Sequence, residues 1–291
     1  MDLSIIIVNY RTYDLTRQSI ESVLDTVKDI DYEVFVVDNH SGDGSLEKLV
    51  EDFKDYSLVK FIENDNNDGF AVANNLAFKK SAGDYILLLN SDVIVNSQTI
   101  NESLNFIKSR PNVGIVGCKV VLPDGTLDKA CRRSFPTFEV SFYRMSGLSK
   151  LFPNSKRFNQ YNLSYLDDNG TYPVDCVVGA FMLIDSNLMK KCNGLDESYF
   201  MYGEDIDLCY KIKEMGYDVY YYGKYDITHY KGASGKNKRL LYEFHKSMEI
   251  FYNKHYKKDD SLPINIITYI SIWGLYYVKL FILNIKKLLH I

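Results

Sequence analysis

Cysteine is scarce and unpatterned in this chain. Its five cysteines, Cys118, Cys131, Cys176, Cys192 and Cys209, are odd in number, scattered, and free of any Cys-x-x-Cys spacing. That excludes a disulfide framework and a structural zinc site, and it points to reduced thiols in the cytosol. Two phosphate-binding signatures are missing as well, GxGxxG and GxxxxGK followed by Ser or Thr. The chain therefore carries neither a dinucleotide fingerprint nor a P-loop. The N-terminus enters an apolar stretch almost at once and lacks the pattern of a signal peptide, which again suggests the cytoplasm. Positive charge is not in excess either. The formal net charge is −4, which argues against nucleic acid as a partner. That total hides an asymmetry: residues 236–291 hold ten Lys/Arg against four acids, about +6, and leave about −10 for the rest.

What is present is an ordinary globular composition, 46% apolar and 25% charged, which rules out wholesale disorder. The length of 291 residues allows one large domain, alone or with an appendage. Tyrosine is abundant at 24 residues, which suits a surface handling sugars or lipid headgroups. The chain is organised around Asp84-Tyr85-Ile86-Leu87-Leu88-Leu89-Asn90-Ser91-Asp92. Its apolar run reads as a fully buried strand. The triplet Asn90-Ser91-Asp92 then sets a carboxylate at the carboxyl end, where open α/β sheets bind ligands. A short Asp there is also a common helix cap.

Residues 3–8, 32–37, 58–62 and 85–89 are predicted strands; residues 12–27, 45–53 and 69–81 are predicted helices. This alternation implies right-handed crossovers and a mostly parallel sheet. Polar clusters follow each strand: Asn9-Tyr10-Arg11, Asp38-Asn39, residues 64–69, and Asn90-Ser91-Asp92. Parallel strands share a direction, so the four clusters gather on one rim and suggest a nucleotide site.

These segments carry a family resemblance. Ser4-Ile5-Ile6-Ile7-Val8-Asn9-Tyr10, Val36-Val37-Asp38-Asn39-His40-Ser41-Gly42-Asp43-Gly44-Ser45, Asn67-Asp68-Gly69-Phe70-Ala71-Val72-Ala73-Asn74-Asn75, Leu87-Leu88-Leu89-Asn90-Ser91-Asp92 and Tyr202-Gly203-Glu204-Asp205-Ile206-Asp207-Leu208 resemble, in this order, the family 2 glycosyltransferases of the GT-A fold. They look most like the rhamnosyltransferase branch, over roughly residues 3–235. The resemblance implies an α/β fold, a Rossmann-like mostly parallel sheet flanked by helices, with a C-terminal helical extension. It divides the chain into a transferase domain at 1–235 and a basic, apolar tail at 236–291.

The roles that follow are implied by that resemblance. Asp38 would accept a hydrogen bond from a pyrimidine base, with Tyr10 beneath the ring and the backbone at Val8 completing the base edge. An Asx-turn after a strand is the ordinary alternative for Asp38. Asp43 would touch the nucleoside, or simply form a turn. Asn67, Gly69 and Asn74 would shape the floor of the donor pocket, next to Ser91. Asn90-Ser91-Asp92 stands where the family has its Asp-x-Asp metal motif, with Asn90 replacing the first carboxylate. Asp92 would then be the main protein ligand for Mg²⁺ or Mn²⁺, leaving much of the coordination to the donor.

Residues 123–172 are weakly patterned and read as an acceptor-facing segment. Arg132 and Arg133 there are either phosphate contacts or surface arginines. A strand is predicted at 174–184, within which Gly179-Ala180-Phe181-Met182 leaves room for an acceptor. A helix opens near Phe200 and runs through Met215; Asp205, Leu208, Ile212 and Met215 share one face. By resemblance Asp205 is the general base and Glu204 orients the acceptor or the base. Asp207, four residues before Lys211, reads as a surface ion pair. His229 would complete the metal or diphosphate site, with Lys231 and Ser234 near the diphosphate.

In the tail, residues 264–285 hold 22 residues with one charge, Lys279, before Lys286-Lys287. That length suffices for a bilayer, but interspersed polar residues favour a helix lying in the interface of the cytoplasmic membrane. A core helix or a homodimer interface is the alternative. The function expected is an inverting transfer of L-rhamnose from dTDP-rhamnose, a nucleoside-diphosphate sugar donor, to a lipid-linked glycan acceptor. The enzyme would sit peripherally on the cytoplasmic face. UDP-hexose transfer is the rival within the class, and a non-catalytic sugar-nucleotide-binding scaffold the rival outside it.

Overall fold

The computed structural model describes residues 1–152, 154–232 and 238–288, the side chains of 286–288 excepted. The first half runs β1 (Leu3–Asn9), α1 (Tyr13–Thr26), β2 (Tyr32–Asp38), α2 (Ser45–Asp52), β3 (Val59–Glu63), α3 (Phe70–Phe78) and β4 (Tyr85–Asn90). Next come β5 (Val93–Val95), α4 (Thr99–Lys108), β6 (Val113–Val121) and, after a 3-10 turn, β7 (Arg132–Arg133). Then follow α5 (Phe138–Met145), α6 (Leu148–Leu151), β8 (Thr171–Val174), β9 (Cys176–Val177), β10 (Phe181–Asp185) and α7 (Ser186–Lys191). The chain closes with α8 (Glu204–Glu214), β11 (Asp218–His229), α9 (Lys238–His255) and α10 (Leu262–Leu288).

The main sheet has the order β3-β2-β1-β4-β10-β6-β11-β5, with β8 pairing β11 off this path. Its heart is the β-branched run of β1, buried along its whole length between β2 and β4. Stiff branched side chains suit a strand covered on both faces. Helices supply that cover, with Ile20 and Val23 of α1 and Leu49 of α2 in the core. The register sets Asn9 opposite Asp38 and Val8 opposite Asn90. Because β1, β2, β3 and β4 are parallel, the ends of β1, β2 and β4 do form one rim, as the alternation implied.

The strand expected over 174–184 is interrupted. β9 leaves the main sheet to pair with β7, and β10 enters it antiparallel between β4 and β6. Between them Ala180 O accepts from Asn90 N at 3.1 Å, carrying the β4–β10 pairing one residue further, and Gly179 N donates to Asp205 at 3.2 Å. The helix expected from Phe200 starts only at Glu204, because Tyr202 and Gly203 take left-handed φ values of 71° and 87°. The weakly patterned stretch holds α5 and α6.

α9 belongs to the packed body. Phe251 and Tyr252 are buried, and His255 Nε2 lies 2.7 Å from Asp207 Oδ1. α10 lies on α9 through Trp273 and Tyr276 against Tyr242, and through Tyr269 against Tyr252. Its other side exposes Ile266, Ile270, Tyr277, Phe281 and Ile285 at helical spacing. The span Leu262–Ile285 contains an 18-residue window of mean hydropathy 1.7 and is long and apolar enough to cross a membrane by length and composition. All five cysteines are free, four of them buried.

Candidate active site

Asp38 ends β2 at the rim and is buried. Its Oδ1 accepts from Asn9 Nδ2 at 2.6 Å and Ser41 Oγ at 2.5 Å, and its Oδ2 from Ser41 N at 2.9 Å. That is an Asx-type turn locked to β1, with a cavity of about 220 Å³ beside it, lined by Ser41, Gly42 and Ser45. Tyr10 projects half-exposed at the same rim, its ring 5.2 Å from the Arg11 guanidinium. Val8 is register-paired with Val37 on one side and Asn90 on the other, which sets it inside the ladder rather than at the free edge. Asp43 is exposed, and its Oδ1 accepts from Ser45 N at 3.1 Å, an ordinary turn at the start of α2. That hydrogen bonding holds its carboxyl below the usual range.

The asparagine-rich segment does a different job from a pocket floor alone. Asn39 Nδ2 donates to Asn67 Oδ1 at 3.0 Å, and Asn64 Nδ2 donates to Asn39 Oδ1 at 2.9 Å. Gly69 has φ 101°, and a Cβ there would lie 2.3 Å from the Phe200 carbonyl oxygen. Phe70 N donates to that same oxygen at 2.8 Å, so the backbone just before α8 is seated on the start of α3. Asn75 holds the segment further back, bonding both N and O of Leu195 at 2.9 and 2.8 Å. Asn74 is buried, donates to Phe70 O at 2.8 Å, and leaves its Oδ1 without a partner among the described residues. Ser91 Oγ meets Thr12 Oγ1 at 3.2 Å.

β5 pairs antiparallel with the end of β11, setting His229 opposite Val93. This brings His229 Nε2 to 3.1 Å from Asp92 Oδ1. On the far side of the ring, His229 Nδ1 is buried without a hydrogen-bond partner, 3.9 Å from Asp128 Oδ2. Burial opposes a charged imidazole, but the flanking carboxylates of Asp128 and Asp92 outweigh it and raise His229 to about 9. Burial likewise pushes the Asp128 carboxyl up, while His229, the Ala130 N–H and Lys231 hold it well below the usual range. Lys231 thus pairs with Asp128, at 3.1 Å. Ser234 and the 235/236 boundary lie outside the described residues.

No cluster of three His, Cys, Asp or Glu side chains suited to a metal occurs among the described residues. Asp92 and His229 nonetheless offer one oxygen and, once a cation displaces the imidazole proton, one nitrogen donor facing each other. Mg²⁺ and Mn²⁺ sites are commonly completed by substrate phosphates and water, so this pair fits a cation held jointly with a diphosphate. Asp128 lies behind the ring at 3.9 Å, beyond hydrogen-bond distance, so it acts on the imidazole through its charge. It went unnoticed in the sequence because only the pairing of β11 with β5 and β6 brings it near.

Asp205 sits in the first turn of α8, nearly buried. Its Oδ2 accepts from Arg133 Nη2 at 2.7 Å and Gly179 N at 3.2 Å, and its Oδ1 from Ile206 N at 2.8 Å. A carboxylate has about four acceptor positions. Three are filled here, and the remaining one is on Oδ1. Glu204 is also buried, with Oε2 unpartnered among the described residues. Burial first, then the neighbouring Asp205 charge, pushes its carboxyl above the ordinary range, so it favours the protonated form.

Both arginines read as phosphate contacts or surface residues are buried instead. Arg133 grips Asp205. Arg132 donates to the carbonyls of Leu166 and Asp167 at 2.8 and 3.1 Å and to Asp168 Oδ1 at 2.6 Å, its guanidinium 4.8 Å from the Tyr221 ring centroid. Asp207 does pair with Lys211, at 2.6 Å, but is buried rather than on the surface, because α9 adds His255 to it.

Two consecutive residues join the halves of this site. Gly179 bonds Asp205 and Ala180 bonds Asn90, so the metal-motif triplet and the acidic helix start are held by one turn. A mixed, mostly parallel sheet with carboxylates from a strand end and a helix start on one rim defines the GT-A class of transferase fold. Solved structures agree on that fold. Mannosyltransferase PcManGT from Pyrobaculum calidifontis, in complex with GDP-Man and Mn²⁺, matches 93% of this chain and 69% of its own at TM-score 0.62 and 16% identity. GalNAc-T7 with UDP, GalNAc and Mn²⁺ matches 86% and 48% at TM-score 0.63 and 15% identity.

The family model for glycosyl transferase family 2 matches residues 4–189, and the chain belongs to that family. It is similar to the low-salt glycan biosynthesis hexosyltransferase Agl10 of Haloferax volcanii, 27% identical over 75% of this chain and 64% of that protein. Rhamnosyltransferase WbbL of Escherichia coli K12 is 28% identical over 78% of this chain and 82% of its own length. The N-acetylglucosaminyl-diphospho-decaprenol L-rhamnosyltransferase of Mycobacterium tuberculosis is 26% identical, over 75% and 73%. The chain thus spans under two thirds of Agl10 and most of the two rhamnosyltransferases, and its resemblance to their branch stands.

Proposed function

We propose that the chain is an inverting, metal-assisted rhamnosyltransferase that moves L-rhamnose from dTDP-rhamnose to a lipid-linked glycan acceptor. The observation that carries this reading is the turn at Gly179-Ala180, which ties Asp205 to the strand end bearing Asp92. The base would lie between Tyr10 and the Asp38 turn, with Asn67, Gly69, Asn74 and Ser91 bordering the donor. Asp92 and His229 would hold Mg²⁺ or Mn²⁺, which when bound neutralises the departing diphosphate. Asp205, steadied by Arg133 and Gly179, would accept the proton of the acceptor hydroxyl on its free Oδ1 position. Glu204, holding its own proton, would donate to the acceptor and orient it.

The names of two relatives support rhamnose as the sugar and, in one, a lipid diphosphate acceptor. The hexosyltransferase name of a third supports a UDP-hexose as the rival donor. The exposed apolar side of α10, with a basic tail, supports a peripheral place on the cytoplasmic membrane face. Residues 1–235 would carry the transfer and 236–291 the membrane contact.

Donor hydrolysis tests this. dTDP-rhamnose and UDP-linked galactose, glucose and N-acetylglucosamine are each incubated with Mn²⁺ or Mg²⁺ and membrane lipid extract, and free nucleoside diphosphate is measured. Release from dTDP-rhamnose, lost in Asp92→Ala, is the expected result. Release from a UDP-sugar alone would overturn the rhamnose assignment.

A further inference from the structure

We propose that the α5–α6 finger is a second membrane contact, a small apolar tip ringed by basic side chains that enters an anionic phospholipid surface beside the reaction centre. The inference rests on the peripheral membrane reading above and adds to it the element that faces lipid next to Asp205.

The tip is apolar where solvent should discourage it. Phe142 is 53% exposed, Met145 46%, Leu151 72% and Phe152 50%. Such grouped large side chains mark an interaction surface rather than ordinary scatter. Around them stand the exposed Arg144, Lys150, Lys156 and Arg157, and residues 138–157 contain one acid, Glu139. The segment is therefore +3 within a chain of −4. A protein partner would be selected by shape; an apolar tip inside a basic ring matches an acyl boundary beneath anionic headgroups.

The finger is also built to hold its form. Tyr143 is buried beneath it, edge-on to Phe158 at 5.0 Å, and its hydroxyl accepts from Arg157 Nε at 3.0 Å. Phe152 stacks near Phe158 at 5.3 Å. Asn159 Nδ2 donates to Ser149 O at 3.1 Å and Phe152 O at 2.6 Å, and Leu151 N and Phe152 N donate to Gly147 O and Leu148 O at 3.1 and 3.0 Å. These bonds pair the carbonyls of Gly147, Leu148, Ser149 and Phe152 and the N–H groups of Leu151 and Phe152 within the finger, which lowers the cost of entering a region poor in water. At its base the finger springs from Arg133, which grips Asp205, and from Phe135, whose ring lies 6.5 Å from Phe251 of α9. One end of the same segment holds the proposed base while the other would touch lipid.

The single tryptophan, Trp273, lies in α10, which makes a clean probe available. The full-length chain carrying Trp273→Phe and Phe152→Trp is mixed with vesicles of phosphatidylcholine and phosphatidylglycerol bearing brominated acyl chains. The expected result is sedimentation with the vesicles and bromine quenching of the new indole. Replacing both Leu151 and Phe152 by Ser should weaken binding at least tenfold while leaving donor hydrolysis unchanged. Sedimentation with an unquenched indole would refute the finger and leave the α10 contact standing. Absence of sedimentation would overturn the membrane reading and the finger with it. A blue shift without lipid in a protein that runs as a dimer would assign the tip to a second copy and refute the proposal.

Discussion

Replacing Arg133 with Met should separate the structural and chemical parts of the Asp205 site. Met is shorter but unbranched and fills much of the same space, so the change removes charge and hydrogen bonds more than volume. It deletes the 2.7 Å bond to Asp205 Oδ2 and the 3.2 Å bond to Val177 O. Breaking a buried ion pair from one side costs about 3–5 kcal/mol, because the remaining charge stays buried alone. Asp205 keeps the N–H groups of Gly179 and Ile206 and the favourable N-terminus of α8. The loss should therefore sit near the low end, about 3 kcal/mol, or roughly 5–10 °C in Tm for a chain of this size. Turnover should fall about a hundredfold further than the unfolded fraction explains, since a carboxylate displaced by about 1 Å loses that much. Urea melts and initial rates measure the two effects. The double variant Arg133→Met/Asp205→Asn should be less destabilised than the two single changes added together. Strict additivity, or a single-variant loss below about 1 kcal/mol, would refute the coupling.

Glu204→Gln should change the pH dependence of stability. The native carboxyl keeps its proton above the ordinary range, so the folded state binds more protons there and stability declines as pH rises. The variant should flatten that decline in denaturant melts run from about pH 5 to about pH 9; an unchanged slope would contradict the burial argument. Asp128→Asn removes one of the two carboxylate charges flanking His229, so the imidazole should titrate below about 9 when followed by NMR. An unchanged titration would remove Asp128 from the site. Gly69→Ala meets the Phe200 carbonyl at 2.3 Å and a φ of 101°, so it should cost about 3 kcal/mol or more and release the 194–200 backbone to proteolysis. His255→Ala should loosen α9 and speed amide exchange in α9 and α8, since it removes the 2.7 Å contact to Asp207.

The legibility of this chain follows from the range of its interactions. β1, β2 and β4 could be read because each is a short apolar run closed by polar residues, and their parallel order follows from the intervening helices. The rim positions of Asp38 and Asp92 came with them. What lay beyond reach were contacts made by late strands. His229 was set at the metal or diphosphate site by resemblance alone; its approach to Asp92 depends on β11 turning back along β5, which nothing in periodicity announces. Arg133 was read as a phosphate contact or a surface residue because its partner is far along the chain, and Asp207 was read as a surface ion pair for the same reason, its His255 contact lying out of view. The break at Gly179-Ala180 was hidden in an apolar stretch: Gly179 N turns to Asp205, while Ala180 O carries the β4–β10 pairing on to Asn90. Gly69 was read as a pocket residue; its tighter constraint, the approach of Phe200, required the fold.

The central claim is that one nucleotide-sugar site spans the strand rim and the start of α8. Diffraction from crystals grown with dTDP-rhamnose and Mn²⁺, collected for manganese anomalous signal, tests it most directly. The account predicts the base beside Tyr10 and the Asp38 turn, an anomalous peak in ligand contact with Asp92 and His229, and the sugar carbon C1 turned toward the free oxygen position of Asp205. A nucleotide bound elsewhere, or a manganese peak away from Asp92, would contradict it.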